Sequence, residues 1–345
     1  MSFIFERAFS SPIPLLRPLG SFWGWLMELR RKGYESGFFS SAGFEKPVVS
    51  VGNVTLGGNG KTPMCVFLAK ALAEKGLRPA ILSRGYGRGA VRGHPEPILV
   101  SRGEGPMIPA AESGDEPFLM ALKTGSIVAL ARKRALAASL AIKEGADVLI
   151  LDDGFQHLAL KRDLDILMLR ADQRLDDGLI IPAGYLRERA SAHLRADILV
   201  AIGDVLNEYL LRLANGRPIF LAKMVPSGLT GLADRGAVSP EGLKGKRLGA
   251  FCGLARPTSF FKSLHDMGVM VSAHLCLPDH VKYDPGTINR LGKFKDLNRL
   301  DHLLTSAKDA VKLPRSLPLP IITLESDLTL DRPNAFLAET LSRLS

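Results

Sequence analysis

The sequence predicts an α/β protein, with a mostly parallel, doubly wound sheet in a first domain and a smaller α/β domain after it. Three observations carry this. A β-branched run, Val48-Val49-Ser50-Val51, feeds a glycine-rich loop ending in Gly60-Lys61-Thr62, and an apolar pattern of helical period (Val66, Ala69, Leu72, Ala73) follows it. A second apolar run over 148–151 stops at Asp152-Asp153. Around these, short apolar segments alternate with helical ones, the pattern of parallel strands joined by crossover helices.

The first element, over 48–76, reads as strand, phosphate loop and helix, which makes the first domain P-loop NTPase-like. Gly57, Gly58 and Gly60 let backbone N–H groups turn inward, and the N-terminus of the next helix adds partial positive charge for a polyphosphate. Lys61 would reach the β/γ-phosphates and the Thr62 hydroxyl would ligate Mg²⁺, which makes ATP with Mg²⁺ the expected ligand. Thr55 and Asn59 complete the loop, although G-x-x-x-x-G-K-[ST] asks for Gly at 55.

At 345 residues and 46% hydrophobic content, the chain can fill two ordinary α/β cores. Its formal charge of +10 suits an anionic partner, whether nucleotide, nucleic acid or acidic lipid surface. No recognisable nucleic-acid module accompanies the charge, so nucleic acid is not the expected partner. Cys65, Cys252 and Cys276 are far apart in sequence and read as buried thiols of a reducing compartment. No apolar run reaches the roughly 18 residues of a spanning helix.

Residues 1–44 hold both tryptophans (Trp23, Trp25) and seven of the sixteen phenylalanines, interleaved with Arg7, Arg17, Arg30, Arg31 and Lys32. Such a segment suits a membrane interface, or a helix packed on its own domain. Pro12, Pro14 and Pro18 place the start of any long helix near Gly20.

The domain over 45–217 continues with a strand over 79–83 running into Arg84-Gly85-Tyr86-Gly87-Arg88. That turn sits at the edge where open α/β sheets bind ligands, and is otherwise a solvated turn. Gly114-Asp115-Glu116-Pro117 opens a helix, where acidic residues also serve as simple dipole complements. A strand over 126–130, a helix over 132–144 and the run into Asp152 and Asp153 follow. A carboxylate at that strand tip, beside a phosphate loop, is what Mg²⁺ coordination needs. Gln156 and His157 come next, His157 being either a structural group or a ligand contact. Further strands are expected over 165–169 and 196–202. Between them, Pro182-Ala183-Gly184-Tyr185-Leu186-Arg187-Glu188 ends in a charged tail that pattern alone leaves ambiguous.

Over 218–240, two short runs about Pro226-Ser227-Gly228 suggest a hairpin linker. The domain over 241–345 then reads as strands over 247–252, 269–273, 302–304 and 321–324, with helices over 257–267 and 285–294. It carries no second phosphate loop.

These motifs, taken together and in order, resemble the tetraacyldisaccharide 4′-kinase family, the lipid A 4′-kinases of Gram-negative bacteria. The resemblance rests on Gly52-Asn53, Gly57 to Pro63, Ser83 to Arg88, Gly114 to Pro117, Asp152 to His157, Pro182-Ala183-Gly184 with Leu186-Arg187-Glu188, Asp279-His280, and Ser306 to Ala310. Thr55 belongs to that family's own loop, which carries Ser or Thr there. The resemblance implies transfer of the γ-phosphoryl of ATP to the 4′-hydroxyl of an acylated glucosamine disaccharide 1-phosphate. It also implies two α/β domains joined by a two-stranded linker, and a monomer held at the cytoplasmic face of the inner membrane by its N-terminal segment. Carried over by motif, Asp115 acts on the acceptor hydroxyl with His280, and Asp152, Asp153 and Glu188 serve the Mg²⁺ region. Arg84, Tyr86, Gln156, His157 and Arg187 line the cleft. A basic residue opening the helix after the third strand belongs with them, taken as Arg132 with Arg134 as the neighbouring choice. The family's Thr-Thr-Glu-Lys-Asp reads Thr305-Ser306-Ala307-Lys308-Asp309 here, so any role of a carboxylate at 307 is absent.

Two rival readings stay open at this point. A membrane-bound ATPase switch of the partitioning type shares the Gly-Gly-x-Gly-Lys-Thr loop, but it places Lys where this chain has Leu56, and has no use for a second domain. A kinase for another acceptor would leave the N-terminal aromatics idle. A GTPase is disfavoured, because Asn-Lys-x-Asp occurs nowhere in the chain.

Overall fold

The computed structural model describes residues 13–85, 96–176, 178–279 and 281–344. They form two compact units, one running to Lys223 and resuming at Leu328, the other spanning Met224–Asp327.

The first unit is built on strands β1 (Val48–Gly52), β2 (Pro79–Ser83), β3 (Ile98–Arg102), β4 (Ile127–Leu130), β5 (Val148–Asp152), β6 (Leu164–Arg170), β7 (Ile198–Ile202) and the start of β8 (Ile219–Gly231). Their order is β8-β7-β6-β1-β5-β2-β4-β3. Neighbours run parallel, except that β3 pairs antiparallel with β4 and edges the sheet. β1, β2, β4 and β5 are buried along their whole length, which explains their uninterrupted apolar text.

Side chains alternate between two cores. Val49, Val51, Ile81, Ile150 and Met168 meet Met64, Leu68, Leu72 and Met120 from the helices Lys61–Glu74 and Asp115–Thr124. On the other face Leu82, Ala129, Leu149 and Leu151 meet Ala137, Ala138 and Ala141 of the helix Arg134–Lys143. The chain leaves β1 toward β2 on one side and β6 toward β7 on the other. The C-terminal ends of β1 and β6 therefore flank a topological switch point, the place where open sheets of this kind bind ligands.

The second unit contains β9 (Ala237–Val238), β10 (Leu248–Cys252), β11 (Ala273–Cys276), β12 (His302–Ser306) and most of β13 (Ile321–Leu330). β11-β10-β12-β13 form a parallel array, and β9 pairs antiparallel with β8 at Leu229 and Thr230. The helices Pro257–Asp266 and Pro285–Leu297 supply Phe260 and Leu264 to one core and Leu291 to the other.

Five expectations need correction. The hairpin about Pro226-Ser227-Gly228 does not form, because that segment is the middle of β8, and β9 pairs beyond it. Residues from Leu328 onward, placed with the second domain by sequence, join the first unit: Leu328, Leu330 and Phe336 lie in its core. The strand expected over 269–273 begins only at Ala273. The N-terminal helix starts at Arg17 rather than near Gly20, because Pro18 falls in its first turn, where the missing N–H costs nothing. Cys276 is exposed rather than buried.

Candidate active site

The phosphate loop leaves β1 at Gly52, where an added Cβ would stand 2.5 Å from that of Phe155. Gly57 and Gly60 hold φ of 97° and 72°, a left-handed region that favours glycine, and Gly60 caps the helix Lys61–Glu74. Thr55 is buried, and its hydroxyl accepts a 2.6 Å hydrogen bond from Asn59 Nδ2. That bond braces the loop from within, a physical reason for Thr where the general motif has Gly. The loop is braced from outside by the Tyr185–Arg187 backbone: Leu56 N donates to Tyr185 O (2.7 Å) and Arg187 N donates to Val54 O (2.9 Å). Thr62 is half-buried in the first helical turn.

Lys61 Nζ donates to Asn53 Oδ1 (3.1 Å) and pairs with Asp153 at 3.4 Å. Asp153, itself at φ 52°, also takes two bonds from one Arg187 nitrogen, at 2.8 and 2.9 Å. Burial works to raise the Asp153 pKa, but Lys61 and Arg187 together hold it below the ordinary carboxylate value. Asp152 next to it behaves in the opposite way. Burial first, then the neighbouring Glu116 and Asp153 charges, push it up to about 6, against a 2.9 Å hydrogen bond from Ser83 Oγ. Two adjacent carboxylates are thus driven apart in acidity by different surroundings.

Gln156 Nε2 donates to Asn53 O (2.7 Å) and to Glu188 Oε1 (2.8 Å). Arg195 binds both Glu188 oxygens, at 2.8 and 2.9 Å, and stacks over Phe155 with 4.5 Å to the ring centroid. Both carboxylate oxygens of Glu188 are therefore engaged by protein groups.

Asp115 is the first residue of the helix Asp115–Thr124, half-buried and preceded by Gly114 at φ 91°. Of the two arginines considered for the next helix, Arg132 is exposed, whereas Arg134 is buried and donates to Asp152 O (3.3 Å) and Ala131 O (3.2 Å). Arg134 is thus the one that reaches the Asp152 backbone at the end of β5. Arg84 is exposed. His157 is lowered to about 4 by burial and by the cations Arg134, Arg30, Arg162 and Arg84, so it is neutral at pH 7 among arginines. Tyr86 and His280 lie outside the described residues.

Sequence reasoning passed over Ser83, Asn53, Arg195 and Glu116 as site groups. Ser83 ends β2 and Asn53 directly follows β1, and both lie in motifs that carry the family resemblance without having been assigned a role. Arg195 sits in the 3₁₀ turn Ala190–Arg195 and acts through Glu188. Glu116 bears on Asp152 through its charge, although its neighbour Asp115 had already been singled out. Among the described residues the buried Asn53 Nδ2, at the start of the phosphate loop, has no hydrogen-bond partner. No group of three His, Cys, Asp or Glu side chains among the described residues could hold a metal alone. Mg²⁺ does not need one, since it commonly takes one or two carboxylates together with phosphates and water.

The helix Arg17–Glu35 docks beside this site. An added Cβ at Gly20 would stand 2.5 Å from Ile180 O, Trp23 Nε1 donates to Arg187 O (3.1 Å), and Arg30 donates to Gln156 O (3.1 Å). Its other faces expose Leu19, Phe22, Trp25 and Leu29, each more than half in solvent.

In the second unit, Asp309 is fully buried. It accepts from Gly253 N (2.9 Å), Ser306 Oγ (2.8 Å) and Lys312 Nζ (3.0 Å), tying the ends of β10 and β12. Lys308 pairs with Asp279 at 3.8 Å.

The model of the family described as tetraacyldisaccharide-1-P 4′-kinase matches residues 13–345. A protein of Pelobacter propionicus named tetraacyldisaccharide 4′-kinase is 38% identical over 305 residues, covering 88% of this chain and 84% of that protein. The Geobacter metallireducens protein of the same name is 38% identical over 295 residues, covering 83% and 84%. A crystal structure of LpxK from Aquifex aeolicus in complex with ATP superposes with a TM-score of 0.79 at 30% identity, covering 96% of this chain and 98% of that one.

Proposed function

The chain belongs to the tetraacyldisaccharide-1-P 4′-kinase family, and from that premise we propose how its own residues carry the reaction. The enzyme transfers the γ-phosphoryl of ATP to the 4′-hydroxyl of a tetraacyldisaccharide 1-phosphate, a step of lipid A biosynthesis. One observation bears most on the residue roles: Lys61 Nζ is held between Asn53 Oδ1 and the Asp153 carboxylate at the foot of the phosphate loop.

Phosphoryl transfer is chiefly positioning and charge neutralisation. The loop from Thr55 to Thr62 receives the phosphates through backbone N–H groups, and Lys61 balances charge on the transferring group. Arg187, fixed by Asp153 and by the Val54 backbone, presents a second cation beside it. Arg84, Tyr86 and His157 are assigned to contacts with nucleotide or sugar. Gln156 and Glu188 hold Arg195 and the loop in register, and Glu188 is assigned with Asp152 and Asp153 to the Mg²⁺ region.

The donor chemistry fits Mg²⁺. The Thr62 hydroxyl and the buried Asp152 carboxylate are hard oxygen donors, and a carboxylate raised to about 6 by burial and neighbouring charge gains from a cation. Bound there, Mg²⁺ would neutralise developing charge on the phosphate oxygens.

Asp115 is assigned to take the proton of the 4′-hydroxyl, with His280 raising its basicity. Replacing Asp115 by Asn should lower kcat by about 10² to 10⁴, the usual size of a general-base contribution, with ATP affinity unchanged. Transfer at the wild-type rate by Asp115→Asn would overturn that assignment.

At the membrane, the helix Arg17–Glu35 would lie in the interface of the inner membrane's cytoplasmic face, with Phe22 and Trp25 at the acyl boundary. Among the described residues no helix is long and apolar enough to cross a membrane. The protein is proposed to act as a monomer.

A further inference from the structure

The second unit holds a pair of thiols that the kinase reaction does not use. Cys252 ends β10 and Cys276 ends β11, and the two are register partners in neighbouring parallel strands. Side chains at such paired positions leave the sheet on the same face, with strands about 4.8 Å apart. The pairing holds to the last residue, since Leu277 N donates to Cys252 O at 2.9 Å. Cys252 is buried among Leu248, Ala250, Phe260 and Leu264, whereas Cys276 is exposed. One thiol is therefore open to reagents and the other stands beside it on the neighbouring strand.

Burial, the Asp309 carboxylate and the Cys276 thiol together push Cys252 up to about 12. At neutral pH that group is an S–H, stable until a thiophile anchored at Cys276 is brought against it. The second reaction is then intramolecular, at an effective concentration far above that of any added monothiol.

We propose that Cys252 and Cys276 form a vicinal dithiol site for soft, thiophilic centres that bind two sulfurs at once, with trivalent arsenicals as the ligand class. In the reaction with phenylarsine oxide, two As–S bonds form and the arsenic–oxygen bond breaks. The two thiol protons leave with the oxygen as water, and arsenic stays trivalent.

The test uses the full-length folded protein and phenylarsine oxide, followed by intact mass, thiol counting and peptide mapping. We expect one phenylarsenic per chain and two of the three thiols blocked, with Cys65 free. The adduct should survive excess glutathione and be removed by dithiothreitol, the behaviour of a two-sulfur chelate. Cys276→Ser, at an exposed position where folding is not at stake, should lose the glutathione-resistant adduct entirely, as should Cys252→Ala. A wild-type adduct stripped by glutathione, or a resistant adduct surviving in Cys276→Ser, overturns the proposal.

Discussion

Asp152 and Asp153 are neighbours with opposite tasks, and the difference comes from what surrounds each. Asp153 is paired with two cations, while Asp152 sits behind it with a hydroxyl and like charges. A carboxyl whose pKa is raised on folding binds more protons folded than unfolded. The stability it contributes is full below the unfolded value near 3.8 and is lost as pH rises through about 6. Asp152→Asn should therefore stabilise the nucleotide-free, metal-free protein at pH 7.5 by about 1–3 kcal/mol, measured by denaturant unfolding, while phosphoryl transfer collapses. His157 has the other sign. Its folded pKa near 4 lies below the ordinary 6.5, so the unfolded chain binds the extra proton and stability falls as pH drops from about 6.5 to 4. His157→Gln should flatten that part of the stability–pH curve by roughly 1–3 kcal/mol, with no change above pH 7.5. The phosphate loop and Asp152-Asp153 were legible in sequence because each occupies a fixed place at a strand's end. The choice between Arg132 and Arg134 was not. It depends on where the helix starts, and Arg134 turns inward from that first position.

At the scale of elements, the segment over 180–189 deserves more weight than its sequence suggests. Its backbone braces the phosphate loop, and the N-terminal helix lies on it through Gly20 and Gly24. Gly20→Val places a methyl-bearing carbon against the Ile180 carbonyl and should cost about 1–3 kcal/mol, read as a lower thermal midpoint. Phe22→Ser with Trp25→Ser removes exposed apolar area instead. That pair should leave the midpoint unchanged and weaken sedimentation with anionic vesicles, and undiminished vesicle binding would count against the interfacial helix. Sequence showed an aromatic, basic N-terminus but left open whether it packs or inserts, and the described helix has one face for each. The hairpin at Pro226-Ser227-Gly228 was misread because Pro and Gly usually punctuate strands. Here they lie within β8, at positions more exposed than the strand's buried start.

At the scale of the molecule, the chain leaves the first unit within β8 and returns to it within β13. Alternation of strands and helices revealed β1, β2, β4, β5, β6 and β7 of the first unit and most strands of the second, since each parallel strand is a local apolar run, but it missed the antiparallel edge strand β3. The return of the C-terminus was hidden, because the helix Pro333–Leu341 carries no motif and its partners lie over a hundred residues earlier. Phe336 meets Phe220 edge-on at 5.3 Å and Phe67 at 6.0 Å, fully buried. Phe336→Ala should cost about 3–5 kcal/mol and unfold the unit that holds the phosphate loop first, visible as lost ATP protection. This unit's loop is proposed to deliver the γ-phosphoryl of ATP to the 4′-hydroxyl, with Asp115 acting on that hydroxyl. Both parts are read from transfer of labelled γ-phosphate from ATP to detergent-dispersed tetraacyldisaccharide 1-phosphate, wild type beside Asp115→Ala, with the labelled position mapped on the sugar. Label at the 4′-oxygen that the variant fails to place is the expected result. ATP hydrolysis without lipid label would point to another acceptor, and equal labelling by the variant would remove Asp115 from the reaction.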